Sequence, residues 1–260
     1  MNKKGIIGFF MLFALFCNIC KVYAIDRVVI SHATSDIWYE NIFLIADKIE
    51  GDWMAHKNFT VQIGLPPDEL QYHFPDWYND KFTPDLFYED INADSLKDII
   101  VVLVAGSGSG ISMKEIHVLN QIHDPNRRYE EVPVESINQA VKRMVNMEKH
   151  GDQATILIGE NKYIVDISKY NYLPGTFYPS PGVGSVEEYW TEKGILYGST
   201  VVFITPAGHI GSLKIEYDWN GKMYKAKSII FDEAEIAKAA GIISGCSDCR
   251  QSRFRMNKGL

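Results

Sequence analysis

Beyond residue 24 the sequence lacks any apolar run approaching the roughly 20 residues that a membrane-spanning helix needs. It is poor in cysteine, with four in 260 residues, and only Cys246 and Cys249 lie past residue 24. Basic charge is also short: 26 Lys and Arg stand against 33 Asp and Glu, for a formal charge of −7. The one basic cluster is Arg250, Arg253, Arg255 and Lys258. An acidic chain of this kind is a poor ligand for nucleic acid or anionic lipid, which carry the same sign of charge. Several catalytic signatures are missing as well. No H-E-x-x-H pair, G-x-S-x-G elbow or Gly-Lys-Ser/Thr triplet occurs, which removes the common zinc-protease, hydrolase-elbow and phosphate-loop sites.

What is present begins with "MNKKGIIGFFMLFALFCNICKVYA". Lys3 and Lys4 form a basic start, Gly5 to Cys20 is almost wholly apolar, and Val22-Tyr23-Ala24 is a small-x-small cleavage signal, the pattern of a secretory signal peptide. Cys17 and Cys20 lack the small residue that a lipoprotein signal places before its cysteine. The expected product is exported, to the medium or to the periplasm and cell envelope. It begins near Ile25 and has no membrane span once the signal is cut. Losing Lys3, Lys4 and Lys21, with no acid among residues 1–24, moves the formal charge from −7 to −10. In an oxidising compartment the C-x-x-C pair Cys246 and Cys249 is expected as a local disulfide, with free thiols and a metal or redox pair as the alternatives.

The interior predicts mostly strands. "ENIFLIADKI" and "NFTVQIGL" flank Gly51-Asp52 as a hairpin. The stretch from Leu65 to Asp90 carries Pro66, Pro67, Pro75 and Pro84 and is expected as an ordered loop with a short strand at Leu86–Tyr88. Its Tyr72, Phe74, Trp77 and Tyr78 either line a ligand surface or cover one edge of the core. "DIIVVLV", apolar on both faces, predicts a central strand. Gly106, Gly108 and Gly110 do not match the dinucleotide fingerprint, and a glycine hairpin leading into a strand "ISMKEIHVLN" fits better. Ile137, Ala140, Val141, Met144 and Val145 repeat at helical spacing and predict one amphipathic helix over about 135–149. "ATILIGENKYIVDIS" predicts a hairpin, and Asn220-Gly221 is the strongest hairpin signal in the chain. "DEAEIAKAAGII" predicts a short C-terminal helix. The expected fold class is therefore α+β, β-rich and mainly antiparallel. Residues 1–24 are the signal peptide and 25–240 one domain, with a subdomain boundary near 130–150 as the variant. Residues 241–260 form a tail holding the C-x-x-C pair.

The most informative stretch is "DINADSLKDIIVVLVAGSGSG". Asp90, Asn92, Asp94, Leu96 and Asp98 stand at positions 1, 3, 5, 7 and 9 of a loop of the calcium-binding kind, with Leu96 contributing its carbonyl. Position 6 is Ser95, where such loops favour glycine for a positive φ, and Val101 replaces the closing glutamate of an EF-hand. The competing reading is a metal-free bend built from Asx turns.

On these residues the segment "TPDLFYEDINADSLKDIIVVLVAGSGSGISMKEIHVLN" resembles the core of secreted VCBS-repeat or FG-GAP-like bacterial proteins. "ILIGENKYIVDIS" and "IGSLKIEYDWNGKMYKAKSIIF" resemble the later parts of such chains. The resemblance implies a secreted β-rich domain with a Ca²⁺ loop and the strand reading of "ISMKEIHVLN". It implies little chemistry.

The sequence thus points to an exported binding or interaction module whose partner is a protein, a glycan or an envelope component. A secreted hydrolase is the second reading, with Asp98, Glu115 and His117 as its acid–base set, and a structural envelope protein is the third.

Overall fold

The computed structural model describes residues 26–35, 40–173 and 175–234. Of these, 63% lie in strands and 6% are helical. The protein is mostly β, in several antiparallel sheets with one short helix, so the α+β expectation is corrected. The predicted signal peptide, the C-x-x-C pair and all but the start of the predicted C-terminal helix lie outside the described residues.

Strands β1 (Arg27–Ala33), β2 (Ile42–Ile49), β3 (Asp52–Ile63) and β4 (Leu70–Asn79) form a four-stranded antiparallel meander. An eight-stranded sheet follows the order β15-β14-β13-β12-β7-β6-β5, with β8 also on β7. Its members are β5 (Asp85–Glu89), β6 (Asp98–Gly108), β7 (Ile111–Gln121), β8 (Tyr129–Val132), β12 (Gly182–Glu192), β13 (Ile195–Phe203), β14 (His209–Trp219) and β15 (Tyr224–Glu233). A small antiparallel sheet holds β9 (Val145–His150), β10 (Gln153–Ile158) and β11 (Asn161–Asp166). The only helix longer than a turn among the described residues is α1 (Ile137–Met144).

Strand β6 organises both cores. Ile100 and Val102 enter one core, with α1, the small sheet and the inner face of β12–β15. Ile99, Val101 and Leu103 enter the other, packed on Leu44, Phe59, Val61 and Trp77 of the four-stranded sheet. Successive side chains of a strand point to opposite faces, so a strand covered on both sides must be apolar throughout, as the sequence reading of "DIIVVLV" holds. The β2–β3 hairpin, the Ser109-Gly110 turn with Gly110 at φ 72, the β10–β11 hairpin and the Asn220-Gly221 turn also form where the sequence places them.

Two local expectations fail for physical reasons. The predicted helix over 135–149 keeps only its first two turns. Ser136 and Gln139 form a reciprocal capping box, and Ile137, Ala140 and Val141 are buried. At Val145 the period changes from helical to alternating, and Val145 to His150 pair with β10 instead. A β-branched residue followed by alternating side chains suits a strand, and Lys149 and His150 end that strand before a Gly151-Asp152 hairpin turn, with Gly151 at φ 57, instead of ending a helix. The proline-rich stretch is not a loop: β4 runs through Pro75. The register opposes Phe59 to Phe74 and Lys57 to Tyr78, so Pro75 sits in a bulge where no ladder hydrogen bond is demanded of it. At the far end β15 continues through Glu233, so Asp232 and Glu233 are strand residues and do not open a helix.

Candidate functional site

The Asp-rich loop joins the end of β5 to the start of β6. Asp90 accepts the Asp94 N–H on Oδ1 at 3.3 Å and the Ser95 N–H on Oδ2 at 2.9 Å. Asn92 Oδ1 also accepts the Asp94 N–H, at 3.0 Å, and its amide donates to Asp94 Oδ2 at 3.2 Å. Asp94 Oδ1 accepts the Leu96 N–H at 2.8 Å. These bonds wind the chain tightly, and Ala93 and Ser95 take φ of 61 and 70. Ser95 therefore adopts the left-handed backbone that a calcium loop asks of position 6, without being glycine. The β12–β13 turn presses on the loop from outside: a Cβ on Gly194 would lie 2.8 Å from the Asp90 carbonyl oxygen.

Asp98 closes the loop from within. It is fully buried, accepting the Ile91 N–H on Oδ2 and the Gln121 N–H on Oδ1, each at 3.1 Å. Burial raises its carboxyl to about 7 against the pull of those two N–H groups, and the charges of Asp94 and Asp90 push the same way. The loop thus links Asp90, Asn92 and Asp94 by hydrogen bonds, while Asp98 ties Ile91 at its start to Gln121 of β7.

Hard oxygen donors on a left-handed loop suit Ca²⁺ in type. Among the described residues, however, no three Asp, Glu, His or Cys side chains converge as a ready cage. Asp90 and Asp94 turn oxygens onto main-chain N–H groups. Each carboxylate oxygen retains a second lone pair, so a cation would engage the outward side of Asp90, Asn92 and Asp94.

Beside the loop lies an open groove of about 670 Å³. Ser95 to Lys97 form one wall, and the β7–β8 turn from Ile122 to Arg127 forms the other. Polar contacts link three of its lining residues: Tyr88 meets Glu40 at 3.5 Å and Tyr129 at 3.3 Å, and Tyr129, behind the lining, donates to Gln121 at 3.3 Å. Arg127 pairs with Glu40 across the groove, and Lys97 lies over the Tyr88 ring at 5.2 Å. A second hollow of about 410 Å³, lined by Ile63, Asp68, Leu70, Asn126 and Tyr129, shares Pro125 and Arg127 with the first.

The proposed acid–base set is not assembled. Ile99 and Leu119 face one core while Ile100 and Val118 face the other. Alternation therefore puts Asp98 on one face of the sheet and His117 and Glu115 on the opposite face. His117 is held by Glu131 at 2.8 Å and stacked on Trp77 at 3.9 Å. Its Nε2 lies 3.6 Å from Glu115, beyond hydrogen-bond distance. Trp77 is buried, Phe74 stacks on it at 3.9 Å, and Tyr72 is partly buried, its hydroxyl accepting the Tyr129 N–H at 2.8 Å. Only Tyr78 of those four aromatics is exposed.

Glu40, Lys97 and Arg127 were not singled out by the sequence. Asp124-Pro125-Asn126 is a legible turn signal, yet nothing local reports that Arg127 meets Glu40, 87 residues away. Comparisons with protein-family models, with curated proteins and with solved structures find no match.

Proposed function

We propose that the chain is an exported binding module of the VCBS/FG-GAP-like kind, recognising its ligand in the groove beside the Asp-rich loop. The observation that carries this reading is the shared wall: Ser95, Leu96 and Lys97 end the loop and also line the groove. Concave sites with a few fixed polar groups are where ligands bind. Ca²⁺, held by Asp90, Asn92 and Asp94 with the Leu96 carbonyl, would neutralise the loop's carboxylates and fix that wall. Asp98 supports the loop from below through its two main-chain N–H contacts. The separation of Asp98 from His117 across the sheet counts against the hydrolase reading. Export and a Cys246–Cys249 disulfide complete the proposal.

Calcium calorimetry on EDTA-stripped, folded protein tests the metal. A titration with heat that vanishes in Asp94→Ala supports it. A flat titration removes calcium from the reading.

A further inference from the structure

We infer that the Asn220-Gly221 turn is a self-modifying site, where the folded chain converts its own asparagine amide to a carboxylate without an enzyme. Asn220 is the only asparagine of the sequence that precedes a glycine. The turn joins β14 to β15, and Asn220, Gly221 and Lys222 are all exposed.

The turn supplies the parts that the reaction needs. Asn220 Oδ1 accepts the Lys222 and Met223 N–H groups, both at 3.0 Å, so a side-chain carbonyl closes the turn. The Asn220 N–H donates to the Met223 carbonyl at 3.2 Å, which fixes the residue that carries this side chain. Two N–H groups on one amide oxygen draw electrons from its carbon, and they stand where an oxyanion would form. The nucleophile is the next nitrogen in the chain. Gly221 lies at φ 87, and a Cβ built on it would meet nothing within 4 Å, so no side chain or neighbour screens it. Among the described residues the Gly221 N–H has no hydrogen-bond acceptor. An attack between adjacent residues is intramolecular, which removes the entropy cost of bringing two molecules together.

The atoms balance in two steps. Water takes the Gly221 amide proton, and the nitrogen pair attacks Asn220 Cγ. The carbonyl π pair moves to Oδ1, where the Lys222 and Met223 N–H groups hold the negative charge. Collapse restores the carbonyl and breaks the Cγ–Nδ2 bond, and the leaving nitrogen takes a proton from water and departs as ammonia. Water then opens the five-membered imide. Addition at Cγ gives aspartate, and addition at the main-chain carbonyl carbon gives isoaspartate. One ammonia leaves, one water enters and nothing is oxidised. Aspartate keeps an oxygen for the two N–H groups. Isoaspartate inserts one atom into the main chain between Trp219 and the fully buried Tyr224, whose rings lie 5.1 Å apart. Both products add a negative charge to an acidic chain.

The test incubates the full chain, folded, in mildly alkaline buffer, beside a sample kept unfolded in guanidinium chloride. Trypsin then releases Ile215–Lys222, which holds one asparagine and no glutamine. Chromatography with mass detection separates its asparagine form from the two products, each about 1 Da heavier. Asn220→Asp marks the retention of the aspartate form. The folded chain should convert at least as fast as the unfolded one, because only the folded turn polarises the amide. Gly221→Ala should slow conversion about tenfold, by screening the nitrogen. The comparison of folded with unfolded wild type stands whether or not that variant keeps the turn. A peptide that stays unconverted in the folded chain while the unfolded chain converts would show that the turn protects Asn220, and would overturn the proposal. Conversion of Gly221→Ala at the wild-type rate would overturn it as well.

Discussion

The Glu187 carboxylate accepts the Lys114 main-chain N–H at 3.4 Å, on the edge of β7 that faces away from β6. Strand β12 touches β7 through the parallel pair Val186 and Ser112, while β8 pairs with β7 from Val118 to Gln121. On that edge the stretch between has no strand partner, and an N–H left alone there would be costly. Glu187 fills the fork and takes the Asn138 amide at 3.1 Å on its other oxygen. Asp98, Asn79 and Glu135 do the same service for the N–H groups of Ile91 and Gln121, of Val104 and of Ala226. These buried polar groups are hydrogen-bond sockets where strands part, which gives their burial a structural cause.

Burial raises the Glu187 carboxyl above its ordinary range. The folded state then holds the proton more tightly than the unfolded chain. Stability from this group is full below the ordinary carboxylate value and is lost as pH rises through the raised one. Glu187→Gln, with the Asn138 amide turned over, keeps both hydrogen bonds and should match or exceed the wild type above that window. Glu187→Ala leaves the Lys114 N–H unpartnered and should cost about 1–3 kcal/mol. Urea unfolding of the three proteins across pH 4 to 8 checks both, and an alanine variant as stable as wild type would refute the socket role.

Glu135 behaves in the opposite sense. Arg143 grips it with two bonds, at 2.9 and 2.7 Å, and the Ala226 N–H adds a third, which together hold its carboxyl below the ordinary range. The stability it brings is present above the ordinary carboxylate value and is lost as pH falls through the depressed one. Arg143→Met should therefore cost about 1–3 kcal/mol near neutrality, by leaving a buried carboxylate under-satisfied. The gap to wild type should close in acid. Chemical denaturation at pH 7 and at pH 3 reads the difference, and a gap independent of pH would show that Arg143 acts through its stem alone.

In the Asp-rich loop, Ser95 at φ 70 bears a Cβ where glycine would not. Ser95→Gly should raise stability by about 0.5–1 kcal/mol, the left-handed penalty less the entropy glycine adds to the unfolded chain. If the loop binds Ca²⁺, the ion should raise the melting point of wild type and Ser95→Gly and leave Asp94→Ala unmoved. A hundredfold excess over Kd corresponds to about 2.7 kcal/mol. Thermal melts with Ca²⁺ and with EDTA settle the matter, and identical melts in both would leave the loop as a hydrogen-bonded bend.

Intact mass of the exported protein should correspond to a start near Ile25 and be 2 Da below the reduced form, for a Cys246–Cys249 bond. Retention of residues 1–24, or two thiols alkylated without reductant, would defeat the export and disulfide proposals.

Legibility in the sequence followed the range of the forces involved. Strand β6 was readable because two-sided burial leaves no polar position between Ile99 and Val104. The turn at Asn220 was readable because its side chain alone accepts the Lys222 and Met223 N–H groups, both at 3.0 Å. Strand β9 was not, since Met144 and Val145 extend a helical stripe and only pairing with β10 decides against it. Strand β4 was hidden by Pro75, whose bulge depends on β3. The Asp-rich loop was legible through its own spacing, but the groove required Glu40 and Arg127 to meet across the fold, which no local pattern encodes.

The sharing of β6 between two cores bears on how the molecule comes apart. A strand whose even and odd residues belong to different hydrophobic clusters cannot detach from one and stay seated in the other. Loss of the four-stranded sheet would bare Ile99, Val101 and Leu103, while loss of the small sheet and α1 would bare Ile100 and Val102. Partially open forms therefore expose a long, flat, β-branched segment of the type that adds to other chains. Cooperativity between the layers is thus a safeguard against aggregation as well as a source of stability, and the amide protons of β6 should exchange only through global unfolding.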